Sequence, residues 1–184
     1  YEYDYLVIAT GATTNFFGNQ NLEDYAFPMK STVEALQLRH KLIHNFEDAL
    51  HADSEEELQR LMNVVVVGGG PTGVELSGAI AEMKKYVLPK DYPELDFSKM
   101  NIYLLEGAAK TLSAMSEKSS TQSLKYLTKL GVKVLTNTIV KDYDGREVLL
   151  QDGTTIPVAT VIWAAGIKGN IPGGIDKTII ARGN

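Results

Sequence analysis

Residues 64–82 read VVVVGGGPTGVELSGAIAE. Four valines run straight into three glycines, and a helix-compatible stretch follows. A short run of β-branched residues reads as a strand buried on both faces. The pattern Gly68-x-Gly70-x-x-Gly73 then stands between a strand and a helix, which is where a dinucleotide fingerprint has to stand. Gly68 lets the chain turn sharply out of the strand. Gly69 continues the turn. Gly70 has no Cβ, so a pyrophosphate can approach the main chain, and Gly73 lets the helix pack close to the sheet. The helix start points unpaired N–H groups and about half a positive charge at the phosphates. No Lys-Ser or Lys-Thr pair follows, which excludes a P-loop. A glycine turn that merely packs tightly has the same pattern, so a second feature is needed.

That feature is Glu106, which ends the next apolar run, residues 101–106. An acid at this strand end can accept hydrogen bonds from both hydroxyls of an adenosine ribose, and its charge repels a 2′-phosphate, favouring NAD(H) over NADP(H). The usual separation is about 20 residues, whereas Glu106 lies 33 positions after Gly73. The excess sits in YVLPKDYPELDFSKM, expected at the sheet edge opposite the cofactor. Lys110 follows four positions later, so a residual NADPH tolerance is compatible with the sequence. Glu75 is read in the first turn of the helix, where the dipole favours negative charge. Stabilising its own helix is sufficient reason for an acid there.

Outward from this unit, residues 5–9 read as a buried strand. Ser31-Thr32-Val33-Glu34 reads as a capping box, opening a helix to about residue 50 with Val33, Leu36, Ile43, Phe46 and Leu50 at helical spacing. Ser54-Glu55-Glu56-Glu57 repeats the box before a short helix ending near Met62. Residues 71 to about 87 are helix, and a connector with two prolines follows. Residues 116–129 are helix with Leu124 and Leu127 inward and Gly131 as the stop. Residues 132–135 are a strand, GREVLLQDGTTIPV is a hairpin turning at Asp152-Gly153, and residues 160–164 are a last buried strand closed by Gly166. Strands joined by helices predict an α/β fold: a Rossmann-like, doubly wound parallel sheet in three layers with a β-hairpin or meander insertion. Where residues 24–62 dock is not legible.

Composition narrows the function. The 184 residues suit one domain, with 44% hydrophobic residues to build a core. A net charge of −5 argues against a nucleic-acid partner. No apolar run approaches the roughly 18–20 residues needed to span a bilayer. The sequence has no cysteine, which removes disulfides, thiolate zinc sites and dithiol redox pairs from this stretch. His40 and His44 stand four apart, a zinc-compatible spacing, but with no third ligand in view they read as a solvated pair, and no metal site is expected. Trp163 reads as a core or domain-boundary aromatic, and core packing is the default for Leu112 and Met115. Both ends of the sequence read as a piece excised from a longer chain.

Taken in order, YDYLVIATGA, VVVVGGGPTGVELSGAIAE and TVIWAAGIKGN resemble the flavoprotein reductases that carry two dinucleotide-binding domains. GGGPTGVEL and WAAGI, with the insertion before Glu106, look most like the type II NADH dehydrogenases, single-subunit NADH:quinone oxidoreductases with non-covalent FAD. The resemblance implies an NAD-binding domain inserted into a flavin domain: residues 1–14 as the outgoing crossing, 15–62 as linker and helical segment, 63–164 as the NAD(H)-binding core, and 165–184 as the return crossing. It implies that Gly68, Gly69, Gly70, Pro71, Thr72 and Gly73 hold the pyrophosphate and Glu106 the adenine ribose. Glu75 matches the family acid near nicotinamide and flavin, the catalytic candidate. Ala165 and Gly166 would pass near the nicotinamide, and Gly11 near the flavin. The resemblance further implies hydride transfer from NADH to FAD and then electron transfer to a quinone. The implied parent is peripheral on the cytoplasmic face of the inner membrane, held there by parts outside this stretch; a homodimer is compatible. A soluble relative of the ferredoxin, nitrite or disulfide reductase kind, and a non-catalytic NAD-binding module, are the alternatives.

Overall fold

The computed structural model describes residues 2–175, 178 and 180. The strands are β1 (Ala12–Thr14), β2 (Phe27–Pro28), β3 (Val64–Val67), β4 (Ile102–Leu105), β5 (Lys133–Leu135), β6 (Val140–Tyr143), β7 (Glu147–Leu150), β8 (Thr155–Pro157), β9 (Thr160–Trp163) and β10 (Ile167–Gly169). The helices are α1 (Gln20–Tyr25), α2 (Thr32–Ala49), α3 (Glu55–Met62), α4 (Pro71–Tyr86), α5 (Leu88–Asp91) and α6 (Glu117–Lys129). The central sheet has the order β2-β9-β3-β4-β5, all parallel. β6, β7 and β8 form a separate antiparallel meander.

Three layers follow from the strand period of two. Val64, Val66, Ile102, Leu104 and Ile162 pack with α2, α3, α4 and α6. Val65, Val67, Leu105, Val161 and Trp163 pack instead with Tyr143, Val148, Leu150 and Ile156 of the meander and with Leu22 of α1. Helices therefore cover one face and the meander the other, so β3 and β9 are buried at every residue. Tyr143 lies in the meander layer at 2% exposure, and burial drives its phenol well above its ordinary pKa.

Of the segment whose docking the sequence leaves open, β2 pairs with the edge of β9, and α2 and α3 lie on the helical face. Asn45 Nδ2 donates to Thr160 Oγ1 at 2.7 Å, and Phe46 meets Phe97 at 5.6 Å and Tyr92 at 5.7 Å between ring centroids. The insertion is thus a docking partner for α2. It lies at the N-terminal edge of the sheet, where Asn101 O accepts the first N–H of β3 at 2.9 Å.

Several expectations need correction. Residues 5–9 form no strand and are exposed, Tyr5 at 92% and Val7 at 86%. Among the described residues no strand pairs with them, and an extended segment without a ladder or a covering surface has nothing to bury its side chains. Val33, Leu36, Leu50 and Leu124 also face outward; Leu38, Leu42, Asn45 and Ala49 join Phe46 on the inner side of α2. In the β7–β8 hairpin only Gly153 takes positive φ, at +89°; Asp152 instead accepts the Thr154 N–H at 2.9 Å. Glu57 gives Ser54 its N–H, but its carboxylate turns to Arg60 at 2.6 Å rather than back to the cap.

At Ser31 the box is complete. Ser31 Oγ accepts the Glu34 N–H at 3.2 Å, and Glu34 Oε2 accepts the N–H groups of Lys30 and Ser31, both at 2.7 Å. Burial pushes the Glu34 carboxyl up, but those N–H groups outweigh it and hold its pKa below 4.5. A lowered folded pKa means the contribution is full above 4.5 and fades as pH falls through the folded value. Ser31→Ala is expected to cost about 1 kcal/mol, roughly 2–4 °C in Tm, by thermal denaturation at neutral pH. An unchanged Tm would show that α2 is held by its buried face alone.

Candidate functional site

β3 is the switch point of the sheet: the chain proceeds from it to β4 and β5 on one side and returns to β9 on the other. Ligands of open parallel sheets bind outside the carboxyl ends of the strands at such a point. A cleft of about 510 Å³ lies there, lined by Val67, Gly68 and Gly70 after β3, Glu106 and Gly107 after β4, and Ala164 to Gly166 after β9.

The glycines divide into two kinds. Gly68 has φ +111°, and a Cβ on it would lie 2.6 Å from the Ala164 carbonyl carbon and oxygen. A Cβ on Gly73 would lie 1.8 Å from the Gly68 oxygen, whereas the nearest sheet side chain, Leu104, would be 3.4 Å away. Gly73 therefore lets the helix close onto its own turn, rather than chiefly onto the sheet as its place in the motif suggests. Gly70 is different. It caps α4 with ordinary extended backbone, φ −73° and ψ −177°, and a Cβ there would meet nothing within 4 Å. Neither packing nor conformation requires a glycine at position 70. Pro71 and Thr72 form the exposed first turn, with Pro71 at the first helical position, where its missing N–H is harmless.

Glu106 is tied into this turn. Its Oε2 accepts the Gly69 N–H at 2.5 Å and its Oε1 the Ala108 N–H at 2.6 Å. Each carboxylate oxygen keeps a second acceptor site, so a vicinal diol can be gripped without releasing either main-chain bond. A Cβ on Gly69 would lie 2.8 Å from Oε2, so a side chain there would displace the carboxylate. The Lys110 ammonium is engaged by Glu117.

The structure brings Gly68, Gly70, Glu106, Ala165 and Gly166 to one cleft. It does not bring Glu75 or Gly11 there. Glu75 is the fifth residue of α4, not in its first turn, because Gly70 is the N-cap; its side chain is exposed. Gly11, with φ +75°, immediately precedes β1, where the Asn170 N–H donates to its carbonyl at 3.0 Å. Trp163 is buried at 4% exposure, its indole N–H donating to Asn15 O at 2.8 Å. Met115 is 48% exposed and not core, while Leu112, half-buried at φ +51°, clips its N–H onto Gly69 O at 2.7 Å. His40 and His44 are exposed.

Sequence reasoning missed Phe17, Ser113, Thr138 and Ile139, which also line the cleft. The Thr138 N–H donates to Glu106 O and the Asn137 N–H to Ala108 O, both at 2.9 Å, bringing the β5–β6 loop over the Glu106 end of the cleft. Neither hydrophobic period nor motif spacing marks these residues, because they converge from three connections.

A parallel sheet with a glycine turn and an acidic strand end at its switch point defines a dinucleotide-binding domain of the Rossmann-like class. The chain belongs to the pyridine nucleotide-disulphide oxidoreductase family, whose profile matches residues 1–182. It is 35% identical over 170 residues to a type II NADH:quinone oxidoreductase of Mycobacterium tuberculosis, covering 90% of this chain and 37% of that protein. It is 34% identical over 167 residues to a probable NADH dehydrogenase of Dictyostelium discoideum, again covering 90% and 37%. The structure of NDH2 from Plasmodium falciparum in complex with NADH superposes with a TM-score of 0.84 at 30% identity, covering 91% of this chain and 35% of that one. The chain thus spans a little over a third of the length of these relatives.

Proposed function

We propose that this chain is the NADH-binding part of an FAD-dependent NADH:quinone oxidoreductase. The observation that carries the reading is the Glu106 carboxylate, fixed by two main-chain N–H groups beside a glycine turn that leaves Gly70 open. The two named relatives and the NADH complex of NDH2 support the choice of coenzyme, and the Mycobacterium tuberculosis relative, named an NADH:quinone oxidoreductase, supports the acceptor.

In this reading the coenzyme lies across three strand ends. The adenosine ribose hydroxyls bind Glu106 after β4. The pyrophosphate sits at the turn after β3, facing the unpaired N–H groups of the α4 start. The nicotinamide lies over Ala165 and Gly166 after β9. Glu75, exposed one turn into α4 and outside the cleft lining, is by resemblance the acid on the nicotinamide and flavin side. The domain organisation follows: crossings at 1–14 and 165–184, a linker and helical segment at 15–62, and the binding core at 63–164. β1 and β10 support it, pairing antiparallel with Ala12 opposite Gly169. Gly11 in this ribbon leaves room for a flat ring, since a Cβ there would meet nothing within 4 Å. FAD, when bound, supplies the hydride acceptor and the electron relay to quinone; this chain's residues bind and orient the donor. Among the described residues no helix is long and apolar enough to cross a membrane, and the parent is placed peripherally on the cytoplasmic face of the inner membrane, where a homodimer is compatible.

Calorimetric titration tests the reading. NADH is expected to bind in the micromolar range and NADPH at least tenfold more weakly, because a 2′-phosphate would meet the Glu106 charge. NADPH binding with no NADH binding would overturn it.

A further inference from the structure

The β9 end of the cleft carries an aromatic side chain that the dinucleotide fingerprint does not use. Phe17 has φ +53°, a left-handed backbone that bulky residues rarely hold, and its side chain is 69% exposed. Neither feature helps folding: glycine would hold this φ without strain, and an exposed ring buries little.

Asn15 holds Phe17 in place. Its Oδ1 accepts the Phe17 N–H at 2.9 Å, its own N–H donates to Gly166 O at 3.1 Å, and its carbonyl accepts the Trp163 indole N–H at 2.8 Å. The Phe17 ring stands edge-on to Trp163, centroids 6.4 Å apart at 66°. A Cβ on Gly166 would lie 3.3 Å from Phe17 Cζ. A side chain at position 166 would therefore press on the tip of the ring, which would have to give by a few tenths of an ångström. Phe17 and Gly166 line the cleft together. Strained residues at clefts are held where a ligand makes use of them.

We infer that Phe17 is the aromatic wall against which the nicotinamide ring packs, a positioning residue that sets the far end of the coenzyme. The inference rests on the orientation proposed above, with the adenosine at Glu106. A flat ring over Gly166 would meet the Phe17 ring at its edge or face, both favourable geometries for aromatic pairs.

ADP-ribose keeps the adenosine and pyrophosphate and lacks the nicotinamide, so it separates the two ends. The test is calorimetric titration of wild type, Phe17→Ala, Phe17→Tyr and Gly166→Ala with NADH and with ADP-ribose. Phe17→Ala should weaken NADH about tenfold and leave ADP-ribose within about twofold. Phe17→Tyr should keep wild-type NADH affinity. Gly166→Ala, which pushes the ring by a few tenths of an ångström, should show the same selectivity at smaller size. If Phe17→Ala weakens both ligands alike, changes neither, or tightens NADH, Phe17 is not that wall. Failure of wild type to bind either ligand would instead remove the coenzyme site itself.

Discussion

Gly73→Ala is expected to lower the melting temperature by about 6–12 °C and to weaken NADH binding at least tenfold. The added Cβ would stand 1.8 Å from the Gly68 carbonyl oxygen, far inside a carbon–oxygen contact of about 3.3 Å. Both groups belong to the main-chain frame of the turn, so no side-chain rotation relieves the clash. Either α4 tilts off the turn, or Gly68 moves into Ala164, whose carbonyl is already too close to admit a Cβ at position 68. Overpacking of this kind costs about 3 kcal/mol, and about 2–4 °C follows each kcal/mol in a domain of this size. The displaced N–H groups no longer converge on the phosphates, so affinity falls with stability. Gly70→Ala is the control that separates the two effects. Its Cβ meets nothing within 4 Å and its φ is ordinary, so Tm should hold while NADH affinity drops as the methyl group enters the pyrophosphate's path. Differential scanning calorimetry with NADH titration measures both. An unperturbed Gly73→Ala protein would remove the close-packed turn from the account, and full NADH affinity in Gly70→Ala would remove the pyrophosphate from position 70.

Glu106→Ala is expected to weaken NADH by more than about a hundredfold and to move the coenzyme preference toward NADPH. Two charge-assisted hydrogen bonds to a ribose diol contribute about 1.5 kcal/mol each, and 1.4 kcal/mol is tenfold in affinity. The loss is larger than the diol contacts alone because the Gly69 and Ala108 N–H groups lose their acceptors as well, freeing the turn that carries the pyrophosphate. Glu106→Gln does nearly as badly, since one carboxylate oxygen becomes an NH2 group facing a main-chain N–H, donor against donor. NADPH loses less in either variant because the charge that opposes its 2′-phosphate is gone. Dissociation constants for both coenzymes on wild type and the two variants decide the matter. An unchanged ratio between them would take Glu106 out of coenzyme selection.

The parts of this protein legible from the sequence are those where one local rule suffices. Val64–Val67 could only be a strand buried on both faces, and the structure buries all four. The Ser31 box is a contact between residues three apart, and it forms as read. The glycine spacing and Glu106 belong to a strand–turn–helix–strand unit whose geometry is largely internal, and they meet as the motif implies. Apolar spacing on α2 and α6 was less informative. Val33, Leu36 and Leu124 fit a helical stripe, yet they face outward, because a helix with several apolar residues offers more than one stripe and its neighbours choose between them. For α2 those neighbours are Tyr92 and Phe97, supplied by the insertion.

The sequence by itself determined the α/β class, the glycine turn and the acid that joins it, because each rests on backbone freedom or charge within a few residues. Only the tertiary structure decided that the meander covers the second face of the sheet, that Glu75 stands a full turn inside α4, and that Phe17 and Ile139 border the cleft beside them. Those facts depend on which distant segments share a surface. The free energy that chooses among such arrangements is shared burial and main-chain hydrogen bonding across the whole sheet, and no single stretch of chain carries it.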